Sequence, residues 1–416
     1  MSFIIAAPTS GSGKTTITLG LLRALKNRMH PVRAAKSGPD YIDPQFHAAA
    51  CSAPCVNLDA WAMSLPTIQR LAAGPETLIV EGAMGLFDGA PPDGKGASAD
   101  LARLLNLPVI LVVDASAMAQ SIAPLVNGFA QHDPDVKIGG IILNRVGSER
   151  HATMLRHALA ATNIPVVGCV MRNAALSRPS RHLGLVQPGE MDDLESFLNT
   201  AADTVEKSID IDMLLGLGQP LRNVSTSPLP QQTPRTIAIA RDAAFAFRYA
   251  HDDAQLIAQG HQLQHFSPLA NDPVPTADEI ILPGGYPELH AGALAQADTF
   301  LTSLRDAAKT TPISGECGGY MVLGETLIDA DGTAHQMAGL LGLTTSFETR
   351  KLHLGYRTLK QGNQTLKGHE FHYATTIKAE GTPLYDAFDA TGTPLGPMGL
   401  IENNVSGSFA HIISAD

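Results

Sequence analysis

The sequence predicts an α/β protein of two domains, and three observations lead there. Short β-branched runs alternate with helical stretches, the pattern of a parallel sheet wrapped by helices. A stretch with three prolines and no periodicity, STSPLPQQTP, interrupts that pattern and reads as a linker. At 416 residues the chain is too long for one ordinary core. The expected division is 1–224, a linker at 225–234 and 235–416.

In the first domain the expected strands are Phe3 to Ala7, Leu78 to Val80, Val109 to Val113, Ile141 to Leu143 and Val166 to Val170. These runs are short and mostly apolar, as central strands covered on both faces must be. Beyond the linker a new α/β set begins, with Ile237 to Ala240, Glu279 to Leu282 and Pro312 to Ser314 as strands. No internal repeat or low-complexity tract interrupts either part.

Composition narrows the function class. With 44% hydrophobic and 17% charged residues the chain is globular in type. A net charge of -11 argues against general nucleic-acid binding, which needs a basic face to displace counterions. An anionic substrate must then meet local basic pockets. The N-terminus, MSFIIAAPTS, has no basic start and reads as a first strand and not a signal peptide. Apolar stretches such as Leu107 to Val113 fall far short of the ~20 residues of a membrane helix, so the expected location is cytoplasmic. Cys51, Cys55, Cys169 and Cys317 are irregularly spaced and imply reduced thiols; Cys51 and Cys55 lack a second ligand pair for zinc.

After the first strand comes Gly11-Ser12-Gly13-Lys14-Thr15-Thr16, then an apolar helical run from Ile17 to Leu25. This is the strand, loop and helix context of a P-loop: backbone N–H groups cradle phosphates, Lys14 reaches the β/γ-phosphates and Thr15 holds magnesium. Pro8 replaces the first glycine of the motif. Three acidic segments then end strands or occupy the loops beyond: KSGPDYIDPQFH, VEGAMGLFDG and VVDAS. Open α/β sheets bind ligands at those ends. Glu81 is placed like the acidic residue that completes a Mg²⁺ shell, while Asp40, Tyr41, Asp43 and Asp88 are candidates for the metal shell or for orienting the reacting group. Helix capping or turn formation is the plainer job for an Asp beside Gly and Pro. Asn144 ends another strand and resembles an adenine-reading Asn. Arg178, Arg181 and His182 are candidates for an anionic group, with a solvated basic loop as the alternative.

In the second domain Gly315-Glu316-Cys317-Gly318-Gly319 follows the strand ending at Ser314 and precedes a helix-like run from Tyr320. A nucleophile elbow needs small residues on both sides because the reactive side chain sits on a sharp turn. A helix N-terminus lowers a thiol pKa, so Cys317 is the expected reactive cysteine and the other three are read as core. His411 is the expected base. Its orienting carboxylate is open, since Ile413 stands where a Glu is usual, and Glu370 is one candidate. Gly284, Gly285 and Gly318 offer N–H groups for an oxyanion, or a plain tight turn in the case of the first two. His369 and His372 lack the spacing of a zinc motif and are read as core or loop residues.

With these residues in hand, the sequence resembles the cobyrinate or hydrogenobyrinate a,c-diamide synthase family. APTSGSGKTT, KSGPDYIDP, VEGAMGLFDG, LVVDAS, IILNRVGSERH, SRHLGLVQ, IAIARDAAFAF, LPGGYPE, GECGGY, LGYR and GHEFHY carry the resemblance over nearly the whole chain. It implies an N-terminal P-loop domain resembling dethiobiotin synthetase and a C-terminal class I glutamine amidotransferase-like, flavodoxin-like α/β domain. It implies ATP and Mg²⁺ as cofactors, and a corrin polycarboxylate, glutamine and ATP as partners. Nucleic acid and membrane have no part in that expectation, and a homodimer is the candidate assembly. ATP would phosphorylate the a and c acetate carboxylates in turn, and ammonia from the glutamine site would displace phosphate. A nickel-sirohydrochlorin a,c-diamide synthase or a cobyric acid synthase is the sibling alternative. A regulatory or partitioning ATPase is the alternative of another class; it would carry a second lysine where Thr9 stands.

Overall fold

The computed structural model describes residues 1–176, 187–191, 193–221 and 230–414. Contacts divide the chain into two compact units, Met1–Thr226 and Ser227–Asp416. Arg178, Arg181, His182 and the first half of the expected linker, 225–229, lie outside the described residues.

The first unit holds strands β1 (Phe3–Ala6), β2 (Val32–Ser37), β3 (Val56–Leu58), β4 (Thr77–Glu81), β5 (Val109–Asp114), β6 (Ile138–Val146) and β7 (Val166–Met171). They form one parallel sheet in the order β3-β2-β4-β1-β5-β6-β7. Its helices are α1 (Lys14–Asn27), α2 (Asp43–Cys51), α3 (Leu65–Ala72), α4 (Ser98–Leu105), α5 (Ile122–His132), α6 (Glu149–Leu159), α7 (Leu194–Ser208) and α8 (Ile211–Leu217). Every residue of β1 is buried, which is why FIIA is apolar without alternation. Helix α1 buries Ile17, Leu21, Leu22 and Leu25, each worth roughly 1.5–3 kcal/mol against solvent. It approaches α7 so closely at Gly20 that a Cβ there would lie 2.7 Å from Ala201 O. The five expected strands of this unit are present. The structure adds β2 and β3, which lack the long apolar run that marks the others: VRAAKS carries two basic residues, and β3 has 3 residues.

The second unit holds β8 (Thr236–Ala240), α9 (Ala250–Ala258), β9 (Gln262–Phe266), β10 (Glu279–Leu282), α10 (Ala291–Ala295), α11 (Asp298–Ala307), β11 (Ile313–Glu316) and α12 (Gly318–Leu323). Then follow β12 (Thr326–Ile328), β13 (Ala334–Gln336), β14 (Gly342–Ser346), β15 (His353–Gln361) and β16 (Gln364–His372). The chain ends with β17 (Thr375–Glu380), β18 (Thr382–Phe388), β19 (Pro394–Glu402), β20 (Val405–Ser408) and β21 (Ala410–Ser414). One sheet has ten strands, β21-β16-β15-β18-β19-β20-β11-β10-β8-β9, and a smaller one has four, β13-β12-β14-β17. From β20 to β9 pairing is parallel, and from β21 to β20 it is antiparallel. The sequence reading located β8, β10 and β11. It left out the antiparallel half, whose strands bury little more than Leu359, Leu366, Ala387 and Ala410 between polar and glycine residues. Strands β20 and β21 are nearly continuous, bent at Phe409, so one stretch pairs with β11 and then with β16. No helix among the described residues is long and apolar enough to cross a membrane.

Candidate active sites

The loop between β1 and α1 turns through Gly11 and Gly13, at φ 79° and 87°. At Gly13 an added Cβ would sit 2.2 Å from Asn144 Nδ2. That amide donates to Ser12 O at 2.9 Å, and Asn144 Oδ1 accepts from Arg145 N. The structure thus places Asn144 as a brace behind the phosphate loop, a different job from the adenine-reading one expected. Within the loop the Ser12 hydroxyl donates to Thr9 O. Thr16 sits in the first turn of α1. Lys14 is buried, and burial first, then the charge of Lys36, lowers its pKa.

Lys36 was not singled out as functional by the sequence reading. It ends a strand that reading did not find, yet it is the hub of this site. Register pairs Lys36 with Glu81 across β2 and β4, and Ile5 with Glu81 across β1 and β4, so three strand ends converge beside the loop. Lys36 Nζ lies 2.8 Å from Asp43 Oδ2, 3.1 Å from Glu81 Oε1 and 3.7 Å from Asp40 Oδ2. The Thr15 hydroxyl donates to the same Glu81 oxygen at 2.5 Å, and His47 Nε2 holds the other at 2.5 Å. Burial alone would raise the Glu81 carboxyl, but Lys36 and His47 pull it down to about 2. Burial would likewise lower Lys36, but Asp43, Glu81 and Asp40 raise it instead. His47 is the second group the sequence reading passed over. Its ring is fully buried between Glu81 and the Cys55 sulfur, so it fixes the carboxylate's direction.

Asp40 does the capping job and also faces the cation of this site. Its Oδ1 accepts from the N–H groups of Ile42 and Asp43 at the start of α2, while Oδ2 faces Lys36. Burial and the neighbouring Asp43 raise its pKa. Asn57 donates to Gly38 O and Asp40 O, clamping the loop, and Tyr41 is half-buried beside it. Asp88 is exposed and accepts from Gly85 N at 2.9 Å, a turn-forming bond.

In the second unit β11 ends at Glu316 and the chain reverses through Cys317, at φ 46° and ψ −101°. A non-glycine residue there stores about 1–3 kcal/mol of strain. The surrounding glycines are required by close approach: a Cβ at Gly319 would lie 1.9 Å from Leu282 O, and one at Gly315 2.6 Å from Leu323 Cδ1. Cys317 N donates to Ser408 O at 2.8 Å and Gly319 N to Pro283 O at 3.0 Å, which locks the elbow between β20 and the LPGGYP loop. The imidazole of His411 fills the space over Gly284, where a Cβ would meet Cε1 at 2.2 Å and Nε2 at 3.0 Å. A Cβ on Gly318 would lie 3.0 Å from Gly285 N. Gly284, Gly285, Gly318, Cys317 and His411 are therefore one neighbourhood, assembled from three distant stretches of sequence.

Two expectations are corrected here. The Cys317 thiol is not lowered: burial first, then the carboxylates of Glu288 and Glu370, raise it, and helix α12 is too short at 6 residues to offset them. Its sulfur is buried and points to Phe371 O at 3.9 Å. Glu370 does not orient His411. It accepts from Arg357 Nε at 2.7 Å and pairs with His372 Nε2 at 2.9 Å. The carboxylate found at His411 is Glu316, with Oε2 3.7 Å from Nδ1. Cys51 and Cys55 are buried as expected, whereas Cys169 is half-buried, and all four thiols are free.

Among the described residues, His353, Glu370 and His372 are the group whose ligand atoms come close enough for a metal, within 4.8 Å. Their geometry suits a brace instead. His372 is stacked between His353, at 4.7 Å and 6°, and Phe409, at 3.9 Å, so the two imidazole planes are parallel and do not converge on one ion. Arg357 already neutralises the Glu370 carboxylate.

Residues 3–186 match the CobQ/CobB/MinD/ParA nucleotide binding domain, and residues 236–416 match the CobB/CobQ-like glutamine amidotransferase domain. The chain is 55% identical over 427 aligned positions to the hydrogenobyrinate a,c-diamide synthase of Brucella anthropi, covering 99% of this chain and 98% of that protein. Proteins of the same description from Rhizobium meliloti and Mesorhizobium japonicum are 50% and 48% identical, each again with 99% and 98% coverage.

Proposed function

The chain belongs to the hydrogenobyrinate a,c-diamide synthase family, a glutamine-dependent amide-forming ligase with a nucleotide-binding domain, and from that premise we propose how its two sites divide the reaction. The substrate is a corrin whose a and c acetate carboxylates become amides. The relatives' descriptions support the metal-free ring, hydrogenobyrinate. Full-length identity with the phosphate loop and the Cys317 elbow both intact carries this reading, and it leaves no ground for a partitioning ATPase.

A carboxylate is a poor electrophile with a poor leaving group, so amide formation near neutral pH needs phosphoryl activation. The loop N–H groups of Gly11 to Thr16 and the Lys14 ammonium would hold the ATP phosphates. The oxygens of Thr15, Asp43 and Glu81, hard donors gathered around a cation, fit magnesium. Magnesium bound there screens and orients the phosphates. Lys36 offsets part of the charge of Asp43 and Glu81, which leaves Lys14 to meet the phosphates. Asp40, Tyr41 and Asp88 border the loops where the corrin carboxylate would lie. The carboxylate oxygen attacks the γ-phosphorus and ADP leaves; ammonia attacks the acyl carbon and phosphate leaves.

Ammonia comes from the amide of glutamine, cleaved at Cys317. His411 takes the thiol proton, the sulfur attacks the glutamine amide carbon, and N–H groups of Gly284, Gly285 and Gly318 stabilise the oxyanion. The imidazolium protonates the departing ammonia, and water then cleaves the thioester. A thiol raised by burial loses its proton only to a placed base, which keeps the site unreactive until glutamine and His411 are aligned. The partners are small molecules, and the free thiols and acidic charge suit a reducing cytoplasm. Incubation with ATP, glutamine and either metal-free or cobalt-bearing corrin, scored by mass, tests the assignment. We expect the metal-free diamide; conversion of the cobalt ring alone overturns the choice of macrocycle.

A further inference from the structure

We propose that Glu316, the residue immediately before the nucleophile, is the carboxylate that positions His411 for glutamine hydrolysis. The inference rests on the glutaminase reading of Cys317 and His411 given above. Glu316 ends β11 and uses its two oxygens differently. Oε1 accepts from the backbone N–H of Ile412 at 3.2 Å, tying β21 to the elbow, and Oε2 faces His411 Nδ1 at 3.7 Å. One side chain thus fixes both the strand that carries the imidazole and the ring itself.

The N–C–N edge of that ring lies over Gly284, with Cε1, Nε2 and Nδ1 at 2.2, 3.0 and 3.3 Å from where a Cβ would sit, so Nδ1 turned toward Glu316 leaves Nε2 for the thiol proton. Ile413, two residues beyond the histidine, is apolar and buried and offers no carboxylate. Glu370 is bound to Arg357 and His372. The arrangement matters most when the proton moves. Because the thiol is raised by burial, the imidazolium that forms must be stabilised by a nearby anion. At 3.7 Å the contact is an ion-pair distance, and it tightens as the ring becomes charged.

Other charged groups face the pair. His369 lies opposite His411 in the β16–β21 ladder, and Arg357 and Glu370 stand nearby on β15 and β16. Arg248, Asp252 and Tyr385 interact with Glu316 itself; Arg248 is held by Asp253, and burial lifts Asp252 to about 7. Among these groups Arg248 is the cation beside Glu316, opposing the repulsion between Glu316 and Asp252.

The test is steady-state glutaminase kinetics of Glu316→Gln and Glu316→Asp in the full chain. For the Gln variant we expect kcat to fall at least about tenfold while the glutamine KM stays within about threefold. The Asp variant should recover part of the rate at an unchanged KM. An unchanged kcat, a rise in KM alone, or an Asp variant as slow as the Gln one each overturns the positioning role. Should the Gln variant lose its thermal transition, the Asp variant decides: kcat reduced at unchanged KM supports the role, and wild-type values overturn it. Cys317→Ala is assayed alongside. Glutaminase surviving there refutes the nucleophile itself, whereas its loss beside a wild-type Glu316→Gln refutes only the inference about Glu316.

Discussion

At the phosphate site the working groups are charged and come from three neighbouring strand ends: Lys14 after β1, Lys36 and Asp43 at and after β2, Glu81 at the end of β4. Around Cys317 glycines, a thiol and an imidazole do the close fitting, and Gly284, Cys317 and His411 are brought together by strand pairing across the whole second unit. The first site holds much of its buried charge by pairing, as Lys36 does with Asp43 and Glu81. The second buries its thiol beside the carboxylates of Glu288 and Glu370, and burial first, then that negative charge, raises it. Phosphoryl transfer needs preorganised charge, whereas thiol attack needs a dry, closely fitted pocket.

The largest effects should come from separating the two. Cys317→Ala is expected to lower glutamine-dependent amidation by about 10³-fold or more, while amidation supplied with free ammonia continues. Lys14→Ala should lower amidation from both nitrogen sources by about 10³-fold with glutaminase retained. ATP-dependent product from the Lys14 variant at wild-type rate would sink the phosphate assignment, and with it the contrast.

Acid sensitivity is common to the two regions, since the partners of Glu81 in the first and of Glu370 in the second hold both carboxyls low. Glu370, buried in its pairing with Arg357 and His372, is pulled from 4.5 down to about 2 against the effect of burial. Its stabilisation is therefore complete above the unfolded value and is lost as pH falls through about 2. This amounts to about 3 kcal/mol. Urea midpoints of wild type and Glu370→Gln, measured from neutral pH downward, should differ most near neutrality and converge toward pH ~2. Parallel curves would show that the brace is not a charged one.

The smallest effect expected is also the most local. Gly284→Ala puts a methyl 2.2 Å from His411 Cε1, so the ring must move. A shift of that size costs on the order of 10²-fold in glutaminase rate, with ammonia-supported amidation unaffected. Full glutaminase activity in this variant would mean that the imidazole does not work from where it is seen.

Much of this was legible before any coordinates. GSGKTT after a buried strand and GECGG after another announce their turns because only glycine fits the positive φ at Gly11 and Gly13 or the close backbone approach at Gly315 and Gly319. Lys36 and His47 were not legible as functional: one ends a strand with too little apolar pattern to be seen, and the other looks like any helical histidine. Glu370 and Glu316 were equally acidic on paper, and Asn144 equally polar in either role.

Sequence by itself determined the central parallel strands, the two-domain α/β order and the glycine-marked turns at Lys14 and Cys317, because backbone geometry and hydrophobic burial are local and leave their mark residue by residue. Tertiary structure alone decided which carboxylate serves which partner, which way the thiol pKa moves, and that Asn144 braces the phosphate loop. Those outcomes depend on distances between residues far apart in the chain and on how much water their packing removes, and no local pattern encodes either.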